Sequence, residues 1–374
     1  MWSNRDRVSK EKTPRKSDVL RLLGQAVALF TSLVCLGLMM TTLGPVALAA
    51  DEATSCKKID DMRAMIFAGS YPTMLTFVAK DGGFYTRNCL NVTLVPVNSG
   101  PAGIAQLQTG GLQVSDSTVD NVVIARSRGL KIKIVSGQSA ANSYSLVASK
   151  KFETPHAKDG WPAVMKDFVG KKIGVYALGA GSQYIVKALF RDAGLNPDDA
   201  AYIAVGAPPT QLAALENGAV DAVIMIAPGQ DIAEASGKGR VIVDLRKPGV
   251  GPKDIQALGK TFQVRVAADS YIESNPDIMK RYLKANEQAE AWIQDPANFP
   301  ELLKHMAKNV QLGADVPDSE NLFSRLIKFW ASVAKVGIDR DAINAWNQFE
   351  LNSGNIPKAV TYEEVVWSGA PAAK

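Results

Sequence analysis

The sequence predicts an α/β protein of two similar lobes with a cleft between them, and three observations carry that expectation. Short apolar strands alternate with helical segments through much of the chain. One pattern of strand, Gly-Ser and helix occurs twice. Met62 to Phe67, Gly69-Ser70 and Leu107-Gln108-Thr109-Gly110 precede Leu112-Gln113-Val114; Ile173 to Tyr176, Gly181-Ser182 and Leu215-Glu216-Asn217-Gly218 precede Val220-Asp221-Ala222-Val223. Two extended segments, Ser143 to Ser149 and Thr261 to Ala267, flank the second copy and read as the crossover strands of a hinge.

The elements follow in order. After a polar lead-in over 51–60, strand Met62 to Phe67 hands over to a helix entered through Tyr71-Pro72 and closed at Gly82-Gly83, with Pro in its favoured first turn. Strand Val92 to Val97 leads to a helix opened by Gly100-Pro101. Strand Leu112 to Ser115 leads to a helix that Asp116-Ser117 caps and Gly129 ends, before strand Lys131 to Val135. In the second copy, Ile185, Val186, Leu189, Phe190 and Ala193 recur at the helical period and stop at Gly194. Strand Tyr202 to Val205, a helix from Pro208-Pro209, strand Val220 to Ile226, a helix from Pro228 and strand Arg240 to Leu245 complete it. From Asn275-Pro276 onward the chain reads as helices with apolar faces, which return to cover the first lobe.

The chain has 374 residues, enough for about two domains. Seven of its 42 Lys and Arg and three of its 37 acidic residues fall within the first 21 positions, leaving 35 basic against 34 acidic residues. That balance points to no polyanion partner and no nucleic acid. The basic start is followed by an uncharged stretch from Leu22 to Ala50 that closes on Ala47-Leu48-Ala49, the pattern of a cleaved secretory signal peptide over 1–49. Retention as an N-terminal membrane anchor is the alternative. Export implies an oxidising compartment, and the mature chain holds two cysteines, Cys56 and Cys89. They form either a disulfide or a buried thiol beside a cysteine in a tail.

Phe168 to Val175, Gly179-Ala180-Gly181-Ser182, Ala193 to Asp199 and Leu215 to Ala222 together resemble the periplasmic solute-binding proteins of nitrate, sulfonate, taurine and thiamine-precursor importers. Gly83-Phe84-Tyr85 and Leu90-Asn91-Val92 resemble that family's first turn and second strand. Cys89 departs from the pattern, standing where the family has a turn glycine. The resemblance implies a periplasmic-binding-protein (Venus-flytrap) fold, each lobe a doubly wound sheet, with two hinge crossovers and C-terminal helices. The expected lobes are 58–147 with 263–374, and 148–262. It also implies a monomer at the periplasmic or extracellular face that closes on a small solute and delivers it to the transmembrane subunits of an ABC permease.

In a doubly wound sheet a ligand lies beyond the carboxyl ends of the strands. That rule selects Ser70 and Tyr71; Asp116, Ser117 and Thr118; Ser139 and Asn142; Gly181, Ser182 and Gln183; and Pro228. None of these loops contains Lys or Arg, so a bare anion would rest on helix N-termini and hydroxyls. Asp116 is the expected partner of a ligand ammonium, which favours a zwitterionic or neutral polar solute of the sulfonate or taurine kind. Asp116, Ser70 and Ser182 are equally competent as helix caps.

Catalysis finds little support. His156 and His305 are the two histidines, and their surroundings read as structural or solvated. Two histidines and two cysteines meet no metal-ligand spacing, and Gly179-Ala180-Gly181 is too short for a dinucleotide or ATP fingerprint, so no cofactor is expected. The rival readings are an enzyme resembling thiamine-pyrimidine synthases, which would need a cleft lysine and histidine, and a membrane-tethered ligand sensor.

Overall fold

A computed structural model describes residues 56–313 and 316–373; the expected leader or anchor over 1–49 lies outside the described residues. The first half opens with β1 (Asp60–Ile66), helix α1 (Met74–Asp81) and β2 (Leu90–Pro96). The two strands pair in parallel, with Asp60 opposite Leu90, which requires α1 to cross over between them. Helix α2 (Gly100–Gln108) starts at Ser99, whose hydroxyl accepts the Ala102 N–H at 3.4 Å. Then come β3 (Ser115–Thr118), α3 (Val119–Ser127) and β4 (Ile132–Ser139).

Residues 140–143 carry the chain into the second half. There β5 (Tyr144–Ser149), β6 (Lys172–Val175), α4 (Gly181–Asp192), β7 (Ala201–Ala204), α5 (Pro208–Asn217), β8 (Ala222–Ile226), α6 (Gly229–Ala235) and β9 (Gly239–Asp244) build a five-stranded sheet of order β7-β6-β8-β5-β9. Strands β6, β7 and β8 are parallel, and β5 lies antiparallel between β8 and β9. Strand β10 (Gln263–Ala268) brings the chain back, antiparallel between β3 and β4. A bridge between Ala64 and Val114 links that three-stranded sheet to β1 and β2. The architecture is the two-lobed α/β fold that the sequence predicts.

Four long helices end the chain: α7 (Pro276–Gln294), α8 (Phe299–Asn309), α9 (Ser319–Val333) and α10 (Arg340–Asn352). The first three bury Tyr282, Met306 and Trp330 in the core shared with β1, β2 and α1, whereas α10 buries Trp346 beside Phe262. No described helix is long and apolar enough to cross a membrane.

One boundary differs from expectation in a way that matters for the site. Leu112 to Val114 is largely outside strand structure, and the strand runs over Ser115–Thr118. The cause is β10, which pairs with these four residues and sets Arg265 opposite Asp116. Asp116 and Ser117 are therefore strand residues, and Thr118 occupies the helix N-cap position.

Cys56 and Cys89 are joined in a disulfide, their Cα atoms 5.5 Å apart. Cys89 has φ +57°, the left-handed region that glycine enters freely, so the turn before β2 needs the backbone expected of a family glycine. Reducing this bridge is expected to lower the unfolding free energy by about 2–4 kcal/mol, since it closes a loop 33 residues long. Urea denaturation with and without a thiol reductant measures this, and coincident transitions would contradict it.

Candidate functional site

The ends of four strands from both halves converge on one cavity. Phe67 follows β1, Thr118 ends β3, Tyr176 follows β6 and Ile226 ends β8; all four line a space of ≈ 390 Å³, part of it open to solvent. This is the carboxyl-end position at which α/β sheets hold ligands. Ser99-Gly100 and Ala180-Gly181, at the starts of α2 and α4, also line it, and Asn121, Ser143, Tyr144 and Gln263 complete the wall. Helix α4 has no side-chain cap, so its first N–H groups have no side-chain acceptor. Phe67 and Tyr176 meet edge to face across the two halves, their centroids 6.5 Å apart.

The sequence candidates divide sharply here. Thr118 and Gly181 line the cavity. Ser182 turns back instead, its hydroxyl accepting the Tyr176 N–H at 3.1 Å, and Gln183 accepts the Gly179 N–H at 2.7 Å, so both brace their own turn. Asn142 likewise accepts the Tyr144 N–H at 2.9 Å. Ser70, Tyr71, Ser117, Ser139 and Pro228 are not in the lining; the four hydroxyls are buried without a hydrogen-bond partner, and Ser117 Oγ lies behind Gly100, 2.9 Å from where a Cβ there would fall. Tyr71 packs against Phe323, and its N–H donates to Ala227 O at 3.3 Å, beside Pro228.

Asp116, expected to meet a ligand ammonium, has a cation of its own. It is 1 % exposed, its Oδ1 lies 3.7 Å from Arg265 Nε, and its Oδ2 accepts from the Thr73 hydroxyl at 3.3 Å. Burial raises its pKa to about 6, with Arg265, Gln138 and Thr73 pulling it down. Arg265 also donates to Asn286, Thr76 and Gln138, which closes the network inside the first half. No loop pattern announces this cation, because Arg265 enters from the middle of β10.

The residues that sequence reasoning missed stand beside the ones it chose. Asp120 and Asn121 open α3; placing the end of β3 three residues early hid them inside a helix. Tyr144 opens β5, as the sequence predicts, and Tyr176 directly follows β6; with Phe67 they form the aromatic wall. Asp120 is buried, which raises its pKa to about 6. The Thr118 hydroxyl and the Asn121 N–H favour its charged form without closing a well-formed hydrogen bond. Glu350, on α10, is pushed up to about 8 by burial and by the charge of Asp120.

Raised acids make the folded chain hold protons that the unfolded chain releases. Asp116, Asp120 and Glu350 all act in this sense, so stability is expected to fall as pH rises from about 5 to about 8. The opposing Asp244, lowered by Arg246, acts below that window. Urea midpoints at the two ends of the range test this, and Glu350→Gln should shrink the difference; equal midpoints for the unmodified chain would contradict it.

Comparison with known proteins gives a consistent result. The family model described as "NMT1/THI5 like" matches residues 73–298. The taurine-binding periplasmic protein of Escherichia coli K12 is 23 % identical over 233 residues, 60 % of this chain and 67 % of that protein. The alkanesulfonate-binding protein SsuA of Xanthomonas axonopodis pv. citri, solved with bound MOPS, superposes with a TM-score of 0.66 at 15 % identity, covering 83 % of this chain and 99 % of its own. The periplasmic nitrate-binding protein NrtA of Synechocystis PCC 6803 does so with a TM-score of 0.53 at 12 % identity, over 81 % and 92 %.

Proposed function

This chain belongs to the NMT1/THI5-like family and has the periplasmic-binding-protein fold, and from that premise we propose that it is an extracytoplasmic solute-binding protein. It captures a small polar organic solute, zwitterionic or neutral, in the cavity between its halves and presents it to an ABC permease. The observation that carries this reading is the convergence of four strand ends and two helix starts from both sheets on one cavity. The division of the chain follows the same reading with one boundary moved: because β5 belongs to the second sheet, the first lobe is 58–143 with 263–374 rather than 58–147 with 263–374, the second begins at 144 rather than 148 and runs to 262, and the connections at 140–143 and before β10 act as the hinge.

Several features favour binding over catalysis. Neither histidine lines the cavity: His156 pairs with Asp167 at 2.5 Å, and His305 is buried on α8 against Trp292. No lysine lines it either, and among the described residues no three His, Cys, Asp or Glu side chains group as metal ligands. Among the named relatives, the taurine-binding protein supports a zwitterionic solute, whereas the alkanesulfonate- and nitrate-binding proteins are named for anions and support solute binding alone.

A thermal-shift screen against sulfonates, amino-sulfonates, pyrimidines and small aromatic acids tests the proposal. A true ligand at a hundred times its dissociation constant adds about 2.7 kcal/mol to the folded state, a clear rise in melting temperature. A flat response across all four classes would argue against it.

A further inference from the structure

Asp120 meets no cation among the described residues, and the Thr118 hydroxyl and Asn121 N–H near it close no well-formed hydrogen bond. It is 1 % exposed, and neither carboxylate oxygen has a hydrogen-bond partner or an ion pair among the described residues. Its place is defined by Gly181. A Cβ added there would fall 2.1 Å from Asp120 Oδ2, so the carboxylate of the first half lies directly against the start of α4 in the second. Asp120 is not itself in the lining; Thr118, Asn121 and Gly181 around it are, so its carboxylate stands directly behind that wall. Two further polar groups on that wall, the Tyr176 hydroxyl and Gln263 Nε2, are also buried without partners.

A desolvated carboxylate is costly unless a cation or several donors meet it. Glu350, the neighbouring acid, supplies no positive charge; Asn355 donates to one of its oxygens and the other has no partner. The first turns of α3 and α4 both favour negative charge, and Asp120 already provides it there. A ligand anion seated at α4 would therefore stand beside a second anion. An organic cation would meet the opposite: a carboxylate in want of a partner, and the rings of Phe67, Tyr144 and Tyr176, whose faces attract ammonium groups.

We propose that the cavity takes a solute bearing a protonated amine and that Asp120 is its counter-ion. The assignment rests on the cavity being the solute site, and it narrows that reading to amine-bearing compounds.

The test is calorimetric titration of the purified protein with pairs that differ at the amine: taurine and isethionate, β-alanine and propionate, benzylamine and benzyl alcohol. The amine-bearing member of at least one pair is expected to bind more tightly. Asp120→Asn is expected to weaken that binding about 30-fold or more, the scale on which removing one partner of a buried charge pair is felt. Melting of the free variant should be no lower than that of the parent, because an unpaired buried charge has been removed. If the amine-free member binds equally well, or if Asp120→Asn keeps the affinity, the amine proposal is overturned while solute binding stands. If no compound binds in any pair, both fall. Should the variant fail to fold, the paired comparison on the parent chain decides alone.

Discussion

Replacing Arg265 by leucine is expected to remove about 3–5 kcal/mol of stability, among the largest effects of any single substitution in this chain. Its guanidinium is fully buried and faces Asp116 across the β3–β10 pair. Without it, Asp116 becomes an unpaired buried carboxylate, and Asn286 and the Gln138 carbonyl lose their strongest donor. Denaturant titration measures the loss. Replacing both Arg265 and Asp116 by leucine should recover part of it, because the cost lies mainly in orphaning the partner. A loss below about 1 kcal/mol for Arg265→Leu would show that the pair holds little of the first half together.

Trp346→Ala is expected to cost about 3–5 kcal/mol as well, by a different route. The indole is fully buried on α10, its ring centroid 5.5 Å from Phe262 and 5.8 Å from Phe349. Its Nε1–H donates to the Thr261 carbonyl at 3.0 Å. Thr261 and Phe262 are the residues through which the chain re-enters the first half at β10, so truncation opens a cavity and orphans a carbonyl at the returning crossover. Trp346→Phe keeps most of the packing but not the hydrogen bond and should fall between the two. Equal stability of all three proteins would contradict this account.

Architecture was largely legible because periodicity and turn chemistry act locally. The duplicated strand and Gly-Ser pattern led to β1 and β6, the apolar rows starting at Ile185 led to α4, and Gly83, Gly129, Gly194 and Gly218 all adopt positive φ at or beside turns the sequence marks. The site was legible only in outline. Its position beyond the strand ends follows from topology, and Thr118 and Gly181 came from that rule. What a side chain faces is decided by pairing between distant segments. Arg265 sits 149 positions after Asp116, and no local pattern announces that it will neutralise it. Asp120 was obscured by the same pairing, because β10 extends β3 to Thr118 and so puts Asp120 in the first turn of α3. The disulfide stayed open for a similar reason: the left-handed backbone of Cys89 and the nearness of Cys56 are tertiary facts.

The central claim, that a solute is held between the two halves, is tested most directly at Gly181. A leucine there places its first carbon where the Asp120 carboxylate lies, while the start of α4 can accept any side chain on its own helix. Titration of Gly181→Leu with the compound that most stabilises the parent chain should show binding at least about tenfold weaker, as overpacking at one contact costs about 1–3 kcal/mol. The free variant should still unfold cooperatively. Undiminished affinity would place the solute somewhere other than this cavity.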